Sequence, residues 1–207
     1  MTPEGRLSGV SRAGWAASVA ALAAAVGLLC ALVLPGLRWG LPSAERNRLT
    51  LGPDPSTWRA PDLPSSERLD PWAAYPNHLS DGTPRTGTHP RSAFNPVRSY
   101  HPDEYVIFKS LSGMNPGRLE FFHGFFGWPA AQFYVVGAAL KAASGLGLVR
   151  LVPDMNFYYR NPEEMARLYV VGRVVTLLFA VGTLIVLWRA GTCLFGVAGG
   201  AAARPTT

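Results

Sequence analysis

The chain has 207 residues, of which 48% are hydrophobic and only 15% charged, with a formal charge of +6 at pH 7. That charged fraction is well below the roughly 25% usual for soluble proteins. The apolar residues are clustered rather than periodic, which argues against a water-soluble globule and excludes disorder throughout. Cys30 and Cys193 both sit in apolar runs, so neither a disulfide framework nor a CxxC metal site is available. The positive charge is almost wholly arginine, with Lys109 and Lys141 the only lysines. On a soluble domain that excess would point to nucleic acid. Here the arginines flank apolar segments, so membrane topology explains them and no nucleic-acid partner is expected.

Residues 1–12 form a short N-terminus carrying Arg6 and Arg12. Residues 13–37 carry no charge, and 25 residues suffice to cross the roughly 30 Å hydrocarbon core as a helix. A secretory signal is the rival reading. The run exceeds the usual 7–15-residue apolar core of a signal, and no A-x-A site ends it, so an uncleaved anchor is expected.

Residues 38–120 read as a long proline-rich loop, holding twelve of the 18 prolines. Its first half cannot be long helix or central strand. Trp39, Trp58, Trp72 and Tyr75 suit a surface at the headgroup level. A second span is expected over residues 121–149, uncharged up to Lys141. A connector follows at 150–167, then a third span at 168–188, broken only by Arg173. Residues 189–207 begin a fourth apolar stretch that stops after 12 residues, too few to span, as in a truncated gene product or fragment. The expected fold class is therefore all-α integral membrane, with three transmembrane helices, a partial fourth, and a short interfacial helix in the long loop.

Charge sets the orientation. Arg6 and Arg12 precede the first span, and Lys141, Arg150, Arg160, Arg167 and Arg173 surround the connector. Placing both groups inside makes the N-terminus cytoplasmic and the loop extracytoplasmic. Lys141 and Arg173 then snorkel to the inner surface, and Arg189 is the exception. The loop's ten Lys/Arg do not count against this, because the rule applies poorly beyond about 60 residues.

Within the loop, residues 105–114 predict a short helix stopped by Asn115-Pro116-Gly117. Pro102 suits the first helical position. Asp103 and Glu104 fall in the first turn, where the helix dipole favours acids. Two readings follow: the pair simply starts a surface helix, or, lying beyond the first span, one of its carboxylates is placed to meet a lipid-borne substrate at the membrane surface. His78, His89 and His123 have no metal-ligand spacing, so no metal site and no cofactor are expected.

The run Tyr100-His101-Pro102-Asp103-Glu104 resembles the acidic loop motif of the C-superfamily glycosyltransferases. These are multispanning enzymes that use polyprenyl-phosphate sugars, with protein O-mannosyltransferases and aminoarabinose transferases among them. Met114-Asn115-Pro116 through Trp128-Pro129 into Tyr134-Val135-Val136-Gly137-Ala138 is similar to the approach to the family's second span. Asn156-Phe157-Tyr158-Tyr159-Arg160-Asn161-Pro162 resembles a connector of bacterial members. Arg167-Leu168-Tyr169-Val170-Val171-Gly172-Arg173, ending in Leu194-Phe195-Gly196, is similar to the third span and its exit. The likeness covers roughly residues 14–200, the front portion of a typical member.

The resemblance implies inverting transfer of a sugar from a polyprenyl-phosphate donor to an acceptor hydroxyl, with Asp103 as base. Glu104 then orients Asp103 or the acceptor, or is only helix-start charge. His101 binds the donor phosphate or caps the helix. Arg98 and Lys109 are the nearby cations for phosphate. The arginine-, alanine- and glycine-heavy usage points to a GC-rich bacterial genome, and with the spans and the resemblance the expected location is a bacterial inner (plasma) membrane. The principal alternative is a non-catalytic membrane scaffold that binds a partner through its outer loop. A transporter component is disfavoured because the spans offer few mid-span polar residues.

Overall fold

The structure, a computed structural model, describes residues 12–58, 95–101, 103–122, 127 and 129–199. The expectations for Trp72, Tyr75, His78, His89, Pro102, His123 and Trp128 fall outside these. The described residues are helical, with no strand beyond the isolated bridge between Asn115 and Glu120. The helices are α1 (Arg12–Val33), α2 (Ala44–Leu51), α3 (Glu104–Ser112), α4 (Ala130–Gly145), α5 (Met155–Arg160) and α6 (Pro162–Gly199). The chain divides into two units, one of residues 1–37 and 176–207, the other of residues 38–175.

The first unit contains α1 and the later part of α6. Two helices, over Arg12–Arg38 and Pro162–Gly196, are long and apolar enough to cross a membrane. Only 6% of the most apolar stretch of each is buried, so neither is the covered core helix of a globule. The 22 residues of α1 rise ~33 Å, matching the hydrocarbon thickness. Trp188 donates from Nε1 to Ser18 Oγ at 2.8 Å, and its ring lies 5.3 Å from that of Trp15. The start of α1 thus meets the later part of α6, as antiparallel helices do.

The second unit has a true core. Phe133, Val136, Leu140 and Ala143 of α4 pack with Phe108 of α3, Tyr159 of α5, and Met165, Leu168 and Tyr169 of α6. The rings of Phe108 and Tyr169 meet edge to face at 4.6 Å. Gly137 admits Leu111, because a Cβ there would lie 3.0 Å from Leu111 Cδ2. Local chemistry starts the helices. Ser43 accepts from the Arg46 N–H at the start of α2, and Asp154 accepts from the Asn156 N–H before α5. Pro162 opens α6 with Glu163 and Glu164 in its first turn.

Two expectations are corrected. The segment 121–149 is not one long helix: α4 has 16 residues, ~24 Å, short of the hydrocarbon core. Pro129 sets its start and Gly145 its end, and one face is sealed in protein. Nor does the third span stop near Trp188. Helix α6 runs unbroken through Arg189 and Gly191 to a kink at Gly196. Nothing between 188 and 192 blocks the helix. The Thr192 hydroxyl donates back to the Arg189 carbonyl at 2.8 Å, and no proline intervenes.

Candidate functional site

Residues 95–101 contain no helix, and side chains from α2, α5 and α6 hold them. Buried Arg46 donates from Nη1 to the Arg98 carbonyl at 2.6 Å and from Nη2 to the Asn95 carbonyl at 2.9 Å. Its guanidinium carbon lies 4.7 Å from the Tyr100 ring centroid. Burial of a charge demands such partners, and it pulls the Arg46 pKa below its ordinary value. Tyr169 donates to the Val97 carbonyl at 3.0 Å, and the Tyr159 hydroxyl lies 3.5 Å from Asn95 Oδ1. Asn95 Oδ1 also accepts from the Val97 N–H at 3.1 Å.

The far end of this segment closes on the exit of the first span. The Tyr100 N–H donates to the Gly40 carbonyl at 2.8 Å. Gly40 has a φ of +64°, and a Cβ there would lie 2.8 Å from Tyr100 Cβ, so glycine is required twice over.

At the start of α3 the two acids part company. Glu104 receives a two-pronged bond from Arg173, Nε to Oε1 at 2.8 Å and Nη2 to Oε2 at 2.9 Å. Ser99 Oγ donates to Oε2 as well, and Arg173 Nη1 donates to the Trp39 carbonyl at 2.9 Å. The Arg173 and Glu104 side chains are only 14% and 22% exposed. Glu104 is therefore held at both carboxylate oxygens, between Arg173 and Ser99.

Asp103, at the N-cap, is exposed and makes no side-chain capping bond. Its N–H donates to His101 Nδ1 at 3.3 Å. His101 thus meets the helix entrance through its ring, the geometry of its capping alternative. Arg98 is half-buried, with its guanidinium carbon 3.4 Å from the Tyr105 ring centroid. Lys109 is exposed on α3, six residues beyond Asp103 and so about 240° around the helix. The structure brings Asp103, Glu104 and His101 together at one helix entrance. It stacks Arg98 on Tyr105 and turns Lys109 to another face.

The Glu104–Arg173 pair corrects the expected topology. An extracytoplasmic loop at 38–120 and a cytoplasmic connector at 150–167 ending in a snorkelling Arg173 would put these partners on opposite sides of a bilayer. They touch. Asn47 Nδ2 on the Tyr159 carbonyl at 2.7 Å, and Tyr169 on Val97, join the same two segments. The described residues between 38 and 175 form one compact unit.

Ser99 and Arg46 were the residues that sequence reasoning passed over, and Arg173 was read there as a snorkelling charge. A lone arginine in an apolar helix does demand a partner, and that signal pointed to Arg173 without naming Glu104. Comparison with protein-family models, with curated proteins and with solved structures returned no match.

Proposed function

We propose that the chain is the front portion of a polyprenyl-phosphate-sugar-dependent glycosyltransferase of the bacterial inner membrane, with Asp103 as its general base. The observation that carries this reading is the division of labour at the start of α3. Arg173 and Ser99 occupy Glu104, while the Asp103 N–H is tied to the His101 ring and the Asp103 carboxylate is left exposed. Asp103 takes the acceptor hydroxyl proton as that oxygen attacks the anomeric carbon. The bond from that carbon to the phosphate oxygen breaks, polyprenyl phosphate departs with the electron pair, and the anomeric centre inverts. A positioned base of this kind contributes about 10²–10⁴-fold.

The topology that goes with this reading has two spans, α1 and the later part of α6, with residues 38–175 on the outer side. Arg6 and Arg12 before the first span and Arg189 late in the second then sit at the inner surface. Arg189 ceases to be an exception. The intervening body is too long for its arginines to decide orientation.

The test is Asp103→Asn assayed in native membranes with a polyprenyl-phosphate sugar donor. Transfer is expected to fall 10²–10⁴-fold with unchanged thermal stability; retained transfer removes the assignment. A thiol at Lys141→Cys is expected to react with an impermeant reagent from outside, whereas a three-span arrangement has it reacting from the cytoplasm. The exposure of Asp103 also favours a second reading, an anchored scaffold that binds a partner. It expects Asp103→Asn to be silent and surface aromatics to matter.

A further inference from the structure

Between α3 and α4 the chain makes a tight closed loop. Asn115 and Glu120 exchange backbone hydrogen bonds, Asn115 N–H to the Glu120 carbonyl at 2.8 Å and Glu120 N–H to the Asn115 carbonyl at 3.0 Å. A 3₁₀ turn, Pro116–Arg118, lies between, and Leu119 closes it with φ 60°. A leucine in the left-handed region is rare, having no side-chain hydrogen bond to favour it. This one is also 79% exposed, and Phe122 beside it is 69% exposed. Phe121 is exposed too, and the Tyr134 hydroxyl donates to its carbonyl at 3.2 Å, fixing the loop to the first turns of α4.

A hydrogen-bonded loop that leaves Leu119, Phe121 and Phe122 exposed is an apolar surface of the kind that marks an interaction site. We propose that it dips into the outer leaflet of the bilayer, giving residues 38–175 a third membrane attachment between the two spans. Two observations choose lipid. The body joins a candidate span at each end, at Arg38 and after Val175, so the leaflet is present at high effective concentration. The patch is bordered by the phenol of Tyr134, which bonds the Phe121 carbonyl, and exposed Arg118 precedes Leu119 in the chain; both residue types sit at headgroup level while their apolar parts are buried. The inference rests on the two-span reading and not on the transferase assignment.

The experiment uses the whole chain with Cys30→Ala and Cys193→Ala, reconstituted in phosphatidylcholine vesicles. Nitroxide labels go singly at Leu119→Cys, Phe122→Cys, Phe179→Cys in α6, and Ser56→Cys in an exposed turn. Each site is exposed, so the fold is kept. Collision with oxygen relative to a water-soluble nickel chelate is expected to be at least threefold higher at 119 and 122 than at 56, and close to the value at 179. Water-like values at 119 and 122 with a lipid-like 179 overturn the inference and leave the spans standing. Labels at 119 and 122 shielded from both reagents also overturn it, because a protein partner or second copy then covers the loop. A water-like 179 removes the span reading and this inference together.

Discussion

Leu28 and Leu32 of α1 and Phe179 and Leu187 of α6 lie exposed on the first unit, whereas Phe133, Val136, Tyr159 and Met165 are sealed inside the second. Both sets are apolar; what differs is whether protein covers them. In the first unit the helices satisfy their backbone internally and leave their apolar side chains uncovered, as a membrane-crossing helix does. In the second, apolar side chains face one another and the polar groups among them are bonded. Arg46 holds carbonyls, Asn47 holds the Tyr159 carbonyl, and Arg173 holds Glu104. The contrast explains why one chain is both greasy and rich in buried hydrogen bonds. Composition averages over two units with opposite burial.

The contrast is sharpest where truncation should hurt one unit and spare the other. Phe133→Ala is expected to destabilise the 38–175 body by about 3–5 kcal/mol, read as a fall in its thermal midpoint or as faster proteolysis. Leu178→Ala, on the exposed face of α6, should leave that midpoint where it was. Equal losses would dissolve the distinction.

Next in size is Arg173→Ala. It strands a mostly buried carboxylate and should cost about 3 kcal/mol in the same measurement. Arg173→Lys should recover part of this, because it restores the charge without the fork. A neutral Arg173→Ala would make Glu104 ordinary surface charge.

The smallest effect concerns pH. Tyr158 is buried, its hydroxyl donates to the Arg150 carbonyl at 2.9 Å, and burial raises its pKa above the ordinary value. The neutral phenol is thus favoured in the fold. Its stabilisation is complete below about pH 10 and lost as pH rises from there through the raised folded value. Tyr158→Phe should flatten that alkaline decline in a melting series; an unchanged slope would assign the decline to other groups.

The helix at Glu104–Ser112 was legible because its signals are local: acids at the entrance and Gly113 with Asn115-Pro116 at the exit. Helix α1 was legible for its uncharged length. Segment 121–149 misled because an apolar run reports reluctance to meet water, not whether protein or lipid takes its place. The punctuation was present, in Pro129, Gly145 and Gly147, and a helix bounded by them is too short to span. Arg173 misled for a related reason. Chain order placed it 69 residues from Glu104, and only the core formed by α3, α4 and α6 brings them together. Asp103 and His101 were found at the expected helix entrance, while the roles of Glu104, Arg98 and Lys109 depended on contacts that no local pattern encodes.

Gly40 carries a genetic corollary. Every single-nucleotide missense change of a glycine codon adds a side chain carbon, and at this position that carbon meets Tyr100 at 2.8 Å. The codon just past the first span is consequently one at which ordinary mutational drift has no neutral step. A saturation library should return it as glycine or nothing.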